Sequence, residues 1–130
     1  MKKGLVPGCR EQMEITVTEE MLASFGGQRI HSTLSTVTLV YYAEWVGRRV
    51  ILPFLEKGEE GVGSEVAICH KAPAPLGKTV VFTAEVTKVT PRQVICQVWA
   101  EHDKGLVGEG TFVQTILPQE KIRQRIESMK

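Results

Sequence analysis

The sequence is poor in several features that whole classes of function depend on. Aromatic residues make up only 6% of the chain, and 16 Lys and Arg against 15 Asp and Glu leave a net charge of +1. A nucleic-acid module normally carries a clear basic excess and aromatic platforms, so no nucleic-acid partner is expected. The three cysteines, Cys9, Cys69 and Cys96, are odd in number and form no C-x-x-C pair. Neither a disulfide framework nor a zinc knuckle is indicated. His31, His70 and His102 lack ligand-like spacing, so neither a metal site nor a cofactor is expected. The longest uncharged runs, such as Ile30 to Ala43, contain Ser, Thr and His and are too short and too polar to span a bilayer. The N-terminal stretch has two lysines but no apolar core and no cleavage site, which reads as a cytoplasmic protein without a signal peptide.

What remains is the composition of an ordinary globular domain, with 42% hydrophobic and 24% charged residues in 130. Residues 1–130 are read as one domain, large enough to bury about two-thirds of its unfolded surface. Residues 1–12 read as a loose lead-in with a turn at Pro7-Gly8. Met13, Ile15 and Val17 alternate with polar residues and predict a half-buried strand. Ser24 to Ser32, with Gly26-Gly27 and a single aromatic, Phe25, reads as a loop or short turn.

The one long helical pattern in the body of the chain follows. Val37, Val40, Tyr41, Arg48 and Ile51 recur at offsets of three, four and seven around Glu44. Ser32, Thr33, Ser35 and Thr36 are all acceptable N-caps, and Pro53 and Gly58 close the region. Leu39, Ala43, Val46 and Val50 extend the apolar surface round most of the helix, which predicts that other elements wrap it. Four β-patterned runs, 62–71, 79–90, 93–102 and 106–117, can do so. The connections at Thr90-Pro91-Arg92 and Asp103-Lys104-Gly105 are hairpin-sized, so the last three runs form an antiparallel meander. Pro118 ends the sheet, and Gln119 to Lys130 predict a charged terminal helix. The fold class is α+β, a long central helix wrapped by a curved antiparallel sheet of about five strands, which is the hotdog architecture. Such domains pair to cover a sheet edge and face, so a homodimer is expected, with a dimer of dimers open.

Glu44 stands on the most apolar helix, where a buried unpaired carboxylate is costly. One reading pairs it with Arg48 at i,i+4 near the surface; the other makes it a working carboxylate. His70 shares a strand face with Val66 and Ile68, which is compatible with a satisfied core histidine or with acid–base chemistry opposite Glu44. Thr36 alone reads as a helix N-cap. Trp45 and Trp99 read as packing residues.

These residues lie in a stretch, Ser35 through Leu117, that resembles the fluoroacetyl-CoA thioesterase family of hotdog enzymes. Ala43-Glu44-Trp45-Val46 resembles the family's helix motif, and Pro53-Phe54-Leu55-Glu56-Lys57-Gly58-Glu59 its exit from the helix. Gly63-Ser64 through Ala67-Ile68-Cys69-His70, followed by Ala72-Pro73-Ala74-Pro75-Leu76-Gly77, resembles its Gly-to-His strand and Pro-Gly loop. The resemblance implies an acyl-CoA thioesterase with Thr36, Glu44 and His70 as catalytic residues. It also implies that Gly63 and its neighbour Ser64 bind the thioester through backbone N–H groups. If Thr36 and Glu44 share one helix, eight residues separate them by roughly 12 Å along its axis. Either Thr36 precedes the helix, or the site combines two subunits at a dimer interface, as the resemblance also implies.

The chain departs from the family before the helix, where aromatic lid residues are expected and only Phe25 stands. A short or medium acyl-CoA is therefore the expected substrate. Arg48, Arg49, Lys71, Lys78, Lys121, Arg123 and Arg125 are candidates for the coenzyme A phosphates. Two other readings remain open: a non-catalytic acyl-CoA-binding or regulatory module, and a hydratase or dehydratase. For the latter the usual Gly-Asp-x-Asn-Pro-x-His segment is absent.

Overall fold

The computed structural model describes residues 1–130. Its strands are β1 (Arg10–Thr16), β2 (Leu22–Phe25), β3 (Gln28–Leu34), β4 (Glu59–His70), β5 (Thr79–Val89), β6 (Gln93–His102) and β7 (Gly105–Pro118). Its helices are α1 (Thr36–Ile51) and α2 (Gln119–Ser128). Five strands form one antiparallel sheet in the order β1-β5-β6-β7-β4, and α1 packs on its concave face. No helix is long and apolar enough to cross a membrane.

The period-2 pattern explains the sheet's inner face. Val80, Phe82, Ala84 and Val86 on β5 and Val94, Cys96, Val98 and Ala100 on β6 all turn inward and are buried. The loop expected at Ser24–Ser32 is instead a hairpin of β2 and β3. Gly26 and Gly27, both at positive φ (59° and 78°), supply the tight two-residue turn between Phe25 and Gln28. Most of its residues are exposed, so neither strand carries an apolar alternation that would announce it. The lead-in is also tied down: Leu5 is buried, Lys2 N–H donates to Phe54 O at 2.6 Å, and Gly8 N–H donates to Val86 O at 2.8 Å.

Helix α1 starts at Ser35, whose Oγ accepts from Thr38 N–H at 3.0 Å. Its inner face (Leu39, Ala43, Val46, Gly47, Val50 and Ile51) is buried. The sheet wraps the helix on that face, as expected, and leaves an outer stripe open. Val37, Tyr41 and Trp45, one turn apart, are 69%, 58% and 42% exposed. Trp45 thus packs only partly: it stacks on Tyr42 with the ring centroids 6.0 Å apart.

Close approach of α1 to β4 and β7 depends on missing side chains. A Cβ on Gly47 would lie 2.4 Å from the Phe112 ring. A Cβ on Gly61 would lie 2.4 Å from Ile51 Cδ1. The buried Gln114 side chain donates from Nε2 to Gly47 O at 2.9 Å, pinning the same turn to β7. Two effects compete in Gly47→Ala: helix propensity favours alanine by about 1 kcal/mol, while overpacking against an aromatic ring costs about 1–3 kcal/mol. We expect the variant to be less stable than wild type in urea denaturation. A midpoint equal to or above wild type would show that Phe112 has room to move.

Candidate active site

Helix α1 runs antiparallel to β4, and this single relation sets the positions of the candidate residues. Thr36 at the helix start meets His70 at the strand's end, with Thr36 Oγ1 2.8 Å from His70 Nδ1. Two turns along, Glu44 meets Gly63: a Cβ on Gly63 would lie 2.9 Å from Glu44 Oε2 and 3.3 Å from the Phe112 ring. One turn further, Arg48 Nη1 donates to Glu60 Oε1 at 2.7 Å.

Thr36 is the first residue of α1 and not its cap, because Ser35 fills that role. Its hydroxyl is therefore free for His70. The alternative that Thr36 precedes the helix is overturned, and the separation of roughly 12 Å from Glu44 along the axis stands. Within one chain the structure brings Thr36 to His70 and Glu44 to Gly63. It does not bring the two pairs together. The pairing of Glu44 with Arg48 is also overturned: the guanidinium is taken by Glu60. Arg48 holds the Glu60 carboxyl below the ordinary carboxylate range, helped by the Gly61 N–H at 2.8 Å, and Glu60 raises Arg48 in turn. Glu44 itself is exposed and makes no ion pair. It shares with Tyr41, Trp45 and Arg48 an open cavity of about 330 Å³.

Ser64 adjoins the bulge in β4 between Gly63 and Glu65. Its hydroxyl donates to Val113 O at 3.2 Å and accepts from Thr115 Oγ1 at 3.1 Å, so it is engaged with β7. Among the basic candidates, Arg48, Lys71, Lys78 and Arg123 pair with Glu60, Glu109, Asp103 and Glu120. Arg49 donates to Gln12 O at 3.3 Å. Lys121 and Arg125 on α2 make no ion pair. Sequence reasoning missed Glu60 and Gln114. Gln114 had a signal, being a polar residue at an inward position of β7 between Phe112 and Ile116. Glu60 had none, since its partner is distant in sequence.

The Thr36–His70 contact has a direct test. In ¹⁵N-labelled protein the His70 ring nitrogens should change signal in Thr36→Val and keep it in Thr36→Ser. Unchanged spectra in Thr36→Val would dispose of the hydrogen bond.

The profile of the fluoroacetyl-CoA-specific thioesterase family matches residues 17–120. A fluoroacetyl-CoA thioesterase from Streptantibioticus cattleyicolor is 32% identical over 92 residues, which cover 71% of this chain and 66% of that protein's length. A Thermus thermophilus hypothetical protein of the thioesterase superfamily superposes with a TM-score of 0.93 at 35% identity, covering 98% of this chain and 94% of that one. A point mutant of the fluoroacetyl-CoA-specific thioesterase, crystallised with fluoroacetate and CoA, superposes with a TM-score of 0.83 at 27% identity, covering 90% of this chain and 98% of that one. The chain belongs to the fluoroacetyl-CoA-specific thioesterase family, a family of thioester hydrolases with the hotdog fold.

Proposed function

We propose that this protein is a cytoplasmic acyl-CoA thioesterase that hydrolyses a short or medium acyl-CoA to the free acid and coenzyme A. The observation that carries the reading is Glu44. In a chain of this family, its carboxylate has no cationic partner and rests against a glycine that leaves it space. Hydrolysis transfers an acyl group from sulfur to water: the C–S bond breaks, a C–O bond forms, and the thiol leaves with a proton. A carboxylate serves this reaction either by taking a proton from water or by attacking the carbonyl to form an anhydride that water then opens. Backbone N–H groups at Gly63 and Ser64 would polarise the carbonyl as negative charge develops on its oxygen. His70, oriented by Thr36, would deliver the proton to the leaving thiolate.

Two facts support a site shared between the subunits of a homodimer. Strand β4 is a sheet edge with a continuous exposed stretch from Gly63 to Ala67. Beside it lies the exposed stripe of Val37, Tyr41 and Trp45. Self-pairing of β4 about a two-fold axis at Ala67 would, across the bulge at Ser64, set Gly63 opposite the partner's His70. Glu44 of one protomer would then face the Thr36–His70 pair of the other. The opposite edge, β1, leaves a dimer of dimers open.

For the acyl group, the β2–β3 hairpin presents Phe25 at its tip, 66% exposed, beside two glycines. An exposed, sparsely aromatic tip supports an acyl-CoA of short or medium length, including non-fluorinated groups. Arg49, Lys121 and Arg125 are the basic candidates that no acidic side chain already holds, and would meet the coenzyme phosphates.

The assay is thiol release from a panel of acyl-CoAs. Wild type should turn over one acyl class, and Glu44→Ala should fall by about 10²–10⁴-fold while remaining folded. Failure to hydrolyse any acyl-CoA, with binding retained, would replace this reading by a non-catalytic module. Subunit sharing has its own test. Mixing inactive Glu44→Ala with inactive His70→Ala should restore about a quarter of wild-type activity, because half the dimers then carry one intact site of two. No recovery after verified subunit exchange would place each site within one chain.

A further inference from the structure

Arg48 lies one turn from Glu44 on α1, at the i,i+4 spacing that favours a surface ion pair, and both side chains line the same cavity. Yet Arg48 points to Glu60, at 2.7 Å. Glu60 is itself fixed: its Oε1 accepts both Arg48 Nη1 and the Gly61 N–H, and these contacts close a small network at the start of β4. The Glu60 carboxyl is thereby oriented from two sides before any ligand arrives.

We infer that Glu60 is a positioning residue that holds Arg48 away from Glu44 and keeps the Glu44 carboxylate uncompensated and available for reaction. The inference rests on the reading of Glu44 as the working carboxylate. The physical argument is competition. A guanidinium next to a carboxylate lowers its basicity and nucleophilicity, because the paired lone electrons become less available. Without Glu60, the carboxylate that helical spacing offers Arg48 within the same cavity is Glu44. The charged groups on the elements around this cavity are Arg48 and Arg49 on α1 and Glu59, Glu60 and Glu65 on β4. Arg49 is turned to Gln12 O and Glu59 to the N-terminal ammonium. That leaves Arg48 as the cation within reach and Glu60 as the group that decides where it goes.

Glu60→Gln keeps the side-chain shape and removes the charge. Its crystal structure should show the Arg48 guanidinium swung to ion-pair distance from Glu44. Its kcat should fall roughly tenfold with KM little changed. The double variant Arg48→Gln/Glu60→Gln should recover most of that loss, since no cation is left to quench Glu44. A purely structural role predicts the reverse: the double variant, lacking the bridge altogether, would be no better than the single. An Arg48 that stays away from Glu44 in Glu60→Gln, or a double variant at least as impaired as the single, overturns the inference. Absence of any turnover by wild type overturns the thioesterase reading instead, and the position of Arg48 in the Glu60→Gln structure still decides this one.

Discussion

The seating of the Phe112 ring against the backbone of α1 at Gly47 is the contact on which the rest of the molecule depends. It sets how deeply the helix sinks into the sheet, and every helix–strand contact described above follows from that depth. Glycine recurs wherever the two surfaces or their strands come closest. At Gly61 and Gly63 a Cβ would strike Ile51 and Glu44; at Gly110 it would lie 1.8 Å from Ala67 O on the paired strand. None of Gly47, Gly61, Gly63 or Gly110 is at positive φ. They are required for space, not for a special backbone conformation. A helix interior normally disfavours glycine, so its presence at Gly47 marks a place where packing overrides propensity. Gln114 adds direction to the contact, since its bond to Gly47 O fixes the same turn against β7.

The closeness has an electrostatic consequence. A carboxylate on a mostly apolar helix would normally be expected to find a cation. Here the cation at the favoured spacing is drawn to the neighbouring strand, because β4 brings Glu60 alongside the last turns of the helix. The pair is partly exposed, and such pairs contribute little to stability. Its effect is on the distribution of charge: Arg48 and Glu60 neutralise each other, while Glu44 is left without a cationic partner beside a glycine and open space.

How far the sequence discloses this depends on whether the deciding contact is local. The buried strands β5 and β6 are legible because each inward residue from Val80 to Val86 and Val94 to Ala100 is apolar, and only a strand turns alternate residues to the same side. The β2–β3 hairpin is illegible for the opposite reason: its strands bury almost nothing, so only Gly26-Gly27 hints at a turn. Glu44 stands out by its apolar surroundings, whereas Thr36 and His70 are singled out chiefly by resemblance to a family. The Glu44–Arg48 expectation fails at a specific point. Helical spacing brings the two into range, but it says nothing of a third charge delivered by a strand that starts beyond Pro53 and Gly58. The open outer stripe of α1 is not legible either: apolarity around most of a helix predicts that a sheet wraps it, as here, but does not say whether its last face is covered by the same chain.

The open face and the split arrangement of candidate residues are two results of one geometry. Because α1 runs antiparallel to β4, Thr36–His70 and Glu44–Gly63 are fixed to successive levels of the same pair of elements. No loop lies between the levels to close the gap. Bringing Thr36 to Glu44 in one chain would require unwinding the helix at Leu39 and Ala43, both buried in the core. A rigid pair of half-sites is of little use to a reaction that needs base, carbonyl polariser and proton donor within contact distance. A second copy related by a two-fold axis removes the difficulty without moving any residue, because the axis exchanges the levels. The exposed stretch of β4 and the stripe of Val37, Tyr41 and Trp45 lie where such an axis would have to pass. If the site is shared between subunits as proposed, covering the apolar face and completing the site are the same physical event.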